Sequence, residues 1–336
     1  MRTATSVLFA SALSLVACGG APRVVRTSPR VWERVESPTT ESLRGLVALP
    51  DAIWASGAHG AVLRSTDDGA HFALVPVPGA EALDFRNLAA TDAMHAMALS
   101  AGSPARAFVT DDGGARWRET FTREGEGVFY DSLVLRGADG FAVGDPLPSA
   151  DDARFALLTT HDGGATWQAS EGPRANEGEA AFAASNGCIA WPAPDALFFA
   201  SGGRVFRSHD GASWESANVP VVTSPSTGVF AIAFRTAEIG FATGGDYAAP
   251  TTPGVFARTR DGGASWQART APRGYRSSVA VDGDTIVVVG TSGSDISYDE
   301  AETWTPLDDT ALNAVRIASG HAIAVGPSGT IARLAL

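Results

Sequence analysis

Thr110-Asp-Asp-Gly-Gly-Ala-Arg-Trp117 decides the fold, because the chain carries this segment in six versions. THDGGATW at residues 160–167 and TRDGGASW at residues 259–266 repeat it in the same form. STDDGAHF at residues 65–72 ends in Phe instead of Trp, and SHDGASW at residues 208–214 is one residue shorter. SYDEAETW at residues 297–304 has lost its glycines. Self-similarity at a fixed period is the mark of arrays and propellers. Each residue type has a local reason. An Asp side chain accepts hydrogen bonds from backbone N–H groups of its own turn. Glycine supplies the positive φ of a tight hairpin. The closing aromatic opens the next strand and wedges into the core. The paired carboxylates of the TDDGG strings suggest a calcium loop as an alternative, but they lack the further spaced oxygens such a site requires.

Asp67 and Asp299 lie five steps apart, at about 46 residues per step, which suits a four-stranded propeller blade of roughly 40–50 residues. Each unit reads as strand A, strand B ending near a glycine, strand C entering the repeated turn and strand D leaving from the aromatic. Residues 141–145 read as a strand B and residues 155–160 as its strand C. After Trp304 three strands remain, near residues 312–317, 322–326 and 330–334, and no seventh turn follows. The missing outer strand is available at residues 31–35, VWERV, which match the strand that follows a turn. Pairing it with the last blade closes the ring and removes both open edges. The expectation is an all-β, seven-bladed propeller over residues 31–336, with six or eight blades as the alternatives.

The turns resemble the Asp box, S-x-D-x-G-x-T-W, of sialidases and related propellers. Composition agrees with an all-β chain: 336 residues, 45% hydrophobic, with 37 glycines and 19 prolines. Acids outnumber bases 37 to 25 for a net charge of −12, which argues against a nucleic-acid partner. Every base is arginine, so lysine Schiff-base chemistry and a P-loop are excluded. Two cysteines allow no disulfide framework and no thiolate cluster, and His59, His95 and His321 lack metal spacing. No metal or other cofactor is expected.

The N-terminus reads as an export signal over residues 1–17: Met1-Arg2 is basic, and residues 6–17 form an apolar run too short to span a bilayer. Leu15-Val16-Ala17-Cys18 resembles the lipobox of bacterial lipoproteins, an ordinary cleaved signal being the alternative. The expectation is a lipid on Cys18, a tether over residues 18–30, and an outer-membrane anchor facing the periplasm. Cys188, among Ile189, Ala190 and Trp191, is expected as an inert buried thiol.

In such a blade the inner strands start on the face opposite the repeated turns, around the central channel. Aligned on their first core residue, these starts read LRGL, FRNL, YDSL, an AAAF-like stretch around Ala180, VFAI, YRSSV and LNAV. The aligned positions hold Arg44, Arg86, Asp131, Ala180, Phe230, Arg276 and Asn313, with Glu179 one residue early in the fourth. The same face receives the loops with Asp145 and with Asp246-Tyr247. Arg44, Arg86, Asp131, Asp145, Glu179, Asp246, Tyr247 and Arg276 are therefore the candidate ligand-binding residues. They fit either a binding rim or a plug of mutual salt bridges.

LRG at Leu43, LDFR at Leu83, GDP at Gly144, EGEAAFAAS at Glu177, STGVF at Ser226, GGDY at Gly244 and YRS at Tyr275 extend the similarity beyond the turns. Together they resemble landmarks of the bacterial relatives of the photosystem II stability/assembly factor, which are neuraminidase-type-repeat propellers. The resemblance covers roughly residues 32–336. It implies a seven-bladed propeller acting as a binding or assembly scaffold, with Arg44, Arg86 and Arg276 matching the family's arginine-rich surface. The expected partner is a protein or a small anionic ligand, bound by a monomer. Some relatives are classed as oxidoreductases, but the chain has no dinucleotide fingerprint, haem motif or metal cluster. The rival is a sialidase-type hydrolase, with Arg44, Arg86 and Arg276 as a carboxylate-gripping triad and Tyr275 or Tyr130, Glu179 and Asp131 as the remaining groups. Against it stands the missing Arg-Ile-Pro opening motif.

Overall fold

The six turns close with one hydrogen-bond pattern. In the second, Thr110 Oγ1 donates to Asp112 Oδ1 at 3.0 Å and accepts from Gly114 N, while Asp112 Oδ1 also accepts from Arg116 N at 2.8 Å. Ser65 with Asp67, Thr160 with Asp162, Ser208 with Asp210, Thr259 with Asp261 and Ser297 with Asp299 repeat it. These bonds favour the charged carboxylate. The backbone N–H of His71 first, and then its ring, hold Asp67 at about 2. The Arg116 guanidinium first, and then its backbone N–H, do the same for Asp112.

The pattern survives in the turn without glycines, where Glu300 and Ala301 take φ values of 55° and 63° in place of Gly113 and Gly114. Non-glycine residues there are strained. Glu300 has a compensating role: its carboxylate accepts from Arg235 Nη1 at 2.9 Å and Arg258 Nη1 at 2.6 Å, and also contacts Arg260. The departure from the repeat ties blade six to three arginines of blade five.

The computed structural model describes residues 30–148 and 152–336. The proposed signal, the tether and Cys18 lie outside the described residues. The strands form seven four-stranded antiparallel sheets. The inner strands of blades one to three are Leu43–Ala48, Asp84–Ala90 and Tyr130–Arg136. Those of blades four to seven are Ile189–Ala193, Thr227–Phe234, Ser278–Asp282 and Ala314–Ala318. Each sheet runs outward in chain order, except the last, where Glu33–Val35 pairs with Ile331–Ala335 as the outermost strand. The expected seven-bladed ring, closed by an N-terminal strand, is therefore found. Trp32 anchors the closure, being 7% exposed and donating its indole N–H to Ser294 Oγ of blade six at 2.8 Å.

The aromatics that end the turns lie between blades. Trp117 of blade two meets Trp54 of blade one at 6.4 Å, Trp214 meets Phe141 of blade three at 5.6 Å, and Trp304 meets Phe256 of blade five at 5.0 Å. The core is thus a series of inter-blade layers of Leu, Val, Ala and Phe. Among the described residues no helix is long and apolar enough to cross a membrane.

Candidate functional site

The inner strands break register as they enter the channel. The breaks fall at Arg44, at Phe85 and Arg86, at Asp131 and at Phe230. A bulge leaves a residue unpaired and re-aims its side chain. Here it turns these groups into the channel mouth, where Arg44, Arg86, Asp131 and Phe230 line a cavity of about 420 Å³. Asp145, expected in a loop, lies instead at a bulge of the strand Asp139–Pro148, and it lines the cavity with Tyr247, which follows the strand Gly240–Asp246.

The channel below the cavity is closed by the connection into blade four. The alignment placed an inner strand near Ala180, but the strand is Ile189–Ala193, and residues 184–186 run across the channel instead. Asn186, at φ 53°, donates to Leu88 O at 2.7 Å and accepts from Leu133 N at 2.7 Å. Ser185 Oγ donates to Ser277 O, Arg44 Nη1 to Ala184 O, and Arg316 Nη2 to Asn186 O. One short segment thereby contacts blades one, two, three, six and seven. Alanine-rich AAFAAS lacks the β-branched residues that favour strands, and Asn186-Gly187 is a turn signal, so the departure had a sequence cue.

Three of the eight candidates lie elsewhere. Arg276 is fully buried on Asp295, its Nε 2.9 Å from Oδ2. The cause is a register error of one residue. Arg276 N bonds Gly244 O, as Leu43 N bonds Gly326 O and Leu312 N bonds Gly290 O in their blades. Arg276 therefore holds the core position of those leucines, and Ser277 takes the channel position. A slip of one residue exchanges the two faces of a strand. Glu179 faces a shallow neighbouring groove and is held by Arg204 Nε at 2.9 Å and by Ser201. Asp246 caps its own turn by accepting from Ala248 N at 2.9 Å. The arginine triad of the sialidase reading is not assembled, because Arg276 is turned into the core, and Glu179, one of its remaining groups, is occupied by Arg204.

Phe230 held an aligned position, but Phe129 and Phe182 were not anticipated as walls. Phe182 stacks on Phe230 at 3.9 Å between ring centroids, and Tyr275 meets Phe230 edge-on at 4.8 Å. Phe129 lies under Arg86, whose guanidinium carbon is 5.7 Å from the ring centroid. Arg86 Nε donates to Asp84 Oδ2 at 2.7 Å. Arg44 has no carboxylate within ion-pair distance among the described residues; burial and then the Arg86 charge lower its pKa. Asp131 is 1% exposed, and its Oδ2 is buried without a hydrogen-bond partner. Burial, then the Asp145 charge, push its carboxyl well above the usual range, with Arg86 opposing. Burial raises Asp145 to about 6, although Ala181 N donates to it at 3.2 Å.

A larger groove of about 860 Å³ opens on the turn face between blades two and three. Two of its charged pairs are tied locally, His95 to Asp92 at 2.9 Å and Arg116 to Asp112 at 2.7 Å. Cys188 is fully buried, and burial pushes its thiol pKa up, as expected of an inert cysteine. Among the described residues no cluster of His, Cys, Asp and Glu is arranged to hold a metal.

No family model matches the sequence, and no curated protein matches it. Solved structures do resemble the fold. The structure described as YCF48 bound to D1 peptide aligns with a TM-score of 0.64 at 16% identity, over 93% of this chain and 98% of that one. YCF48 from Cyanidioschyzon merolae aligns at 0.61 and 16%, over 91% and 99%. A GH74 enzyme from Niastella koreensis aligns at 0.59 and 14%, over 90% of this chain and 53% of the enzyme. These likenesses establish a shared propeller architecture.

Proposed function

We propose that the chain is a cell-envelope lipoprotein, anchored through Cys18 in the outer membrane of a bacterium and facing the periplasm. Its propeller acts as a monomeric binding scaffold. The ligand is a protein segment or small molecule that presents a carboxylate to Arg44 and Arg86 in the channel-mouth cavity. The observation carrying this reading is Arg44 itself: a guanidinium at a cavity mouth with a carbonyl, and among the described residues no carboxylate, as its partner. A rim built only of mutual salt bridges would leave no such group. Arginine grips carboxylates through two parallel hydrogen bonds, and aromatic walls supply apolar area for the rest of a ligand. The similar YCF48 structure, which holds a D1 peptide, supports a peptide ligand.

The test is titration of the full chain with acidic peptides that place Asp or Glu beside an aromatic residue. Binding should fall about ten-fold or more in Arg44→Ala and in Arg86→Ala, with the melting temperature kept. Lower melting with unchanged binding would make the arginines a structural plug.

A further inference from the structure

The cavity has two walls of opposite charge that do not neutralise each other. Arg44 and Arg86 come from blades one and two, Asp131 and Asp145 from blade three. Arg86 is engaged by Asp84 and Arg44 by Ala184 O, and no ion pair joins either arginine to Asp131 or Asp145 among the described residues. Asp131 is the group left over: it lines the cavity at 1% exposure, with Oδ2 accepting nothing. A buried carboxyl without a partner is costly, and the cost is removed when a cationic donor reaches it. The rings that line the same cavity favour such a donor, since a cation is attracted to an aromatic face.

We infer that the Asp131–Asp145 wall receives an ammonium group, so that the ligand is a zwitterion of the amino-acid class. Its carboxylate lies on Arg44 and Arg86, and its apolar body lies between Phe129, Phe230 and Tyr275. The carboxylate half rests on the function proposed above; the ammonium half does not. A cavity of about 420 Å³ is within the range of small-ligand sites. Among the described residues, Arg86 and the Cys188 thiol act on the carboxyl wall, and Asp145 also borders a groove with Asp152, Arg174, Glu177 and Glu179. Cys188 is held neutral by burial, so proton release from the carboxyls governs the response to pH.

Three probes sharing one phenethyl body separate the halves: phenylalanine, hydrocinnamate without the ammonium, and phenethylamine without the carboxylate. In calorimetric titration of the full chain, phenylalanine should bind at least about ten-fold more tightly than hydrocinnamate. This advantage should grow as the pH rises through about 6, where Asp145 gives up its proton. Asp131→Asn combined with Asp145→Asn should abolish it while leaving hydrocinnamate binding in place. Equal binding of phenylalanine and hydrocinnamate, or an advantage that survives the double substitution, would overturn the ammonium wall and leave the carboxylate reading standing. Phenethylamine binding that persists in Arg44→Ala, with no binding of hydrocinnamate, would uphold the ammonium wall and sink the carboxylate reading. Failure of all three probes to bind would sink the amino-acid ligand and leave the carboxylate reading to the titration with acidic peptides.

Discussion

Arg276 and Asp295 form an ion pair sealed from solvent, with Nε 2.9 Å from Oδ2 and neither side chain exposed. Arg273 adds a second guanidinium, its Nε 2.8 Å from Asp295 Oδ1. Asp295 sits on the third strand of blade six, so the pair ties the entry of the inner strand to its own sheet. Removing Arg276 leaves the sealed carboxylate with Arg273 as its remaining guanidinium and empties a core position. Arg276→Ala should therefore cost about 3–5 kcal/mol in denaturant unfolding. Arg44→Ala, which breaks no ion pair, should stay within about 1 kcal/mol of the parent. Similar losses for the two variants would refute this division between a core arginine and a cavity arginine.

Asp145 makes stability depend on pH in an unusual direction. Its carboxyl is raised from an ordinary value near 3.8 to about 6, so between these values the folded chain holds more protons than the unfolded one. Stability from this group is then fully present below the unfolded value and is lost as the pH rises towards about 6. Asp145→Asn should gain about 1–3 kcal/mol over the parent at pH 7 and nothing at pH 3.5, measured as the difference between their unfolding curves. A constant difference across that window would contradict the raised carboxyl.

Ring closure depends on Trp32 and the strand it leads. Trp32→Ala should destabilise by about 3–5 kcal/mol, as for other buried Trp truncations. A chain starting at residue 37 should melt well below one starting at residue 30 and should associate through the bared edge of Ile331–Ala335. Equal melting temperatures for the two chains would show that the terminal strand is dispensable.

Asn186 holds the channel plug by giving one hydrogen bond to blade two and accepting two from blade three, from Leu133 N and Ser132 Oγ. Asn186→Ala leaves Leu133 N and Leu88 O unsatisfied and puts alanine at φ 53°. The expected loss is about 2–4 kcal/mol, from two buried groups and a left-handed residue. Hydrogen exchange at the amide of Leu133 should accelerate together with the loss. Protection unchanged from the parent would mean that the plug is held by other contacts.

Lipidation at Cys18 is tested by metabolic labelling with a fatty-acid analogue. The parent should be tagged and Cys18→Ala should not. Equal labelling of both would remove the anchor from the proposed function.

The architecture was legible because it repeats. Each turn is a local object, closed by a hydroxyl, a carboxylate and backbone donors within a few residues, and six such objects at one spacing dictate blades. Even ring closure could be read, since a chain with three leftover strands at one end and an aromatic-led strand at the other has one low-cost way to hide both edges.

The site was legible in part. Arg44, Arg86 and Asp131 occupy bulge positions that share an offset from the first core residue, so alignment found them. Arg276 was misplaced because YRSSV has one residue more than LRGL before its core valine, and only packing decides which residue the extra one displaces. The contacts among the aromatic walls and the plug escaped for a related reason. Phe182, Phe230 and Tyr275 meet across blades four, five and six, and Asn186 bonds Leu88 from 98 positions away. Contacts of that range leave no local pattern in the chain. Local hydrogen bonding and side-chain period set the turns and the strands, whereas burial against distant blades decided which charges were sealed in and which were left facing the cavity.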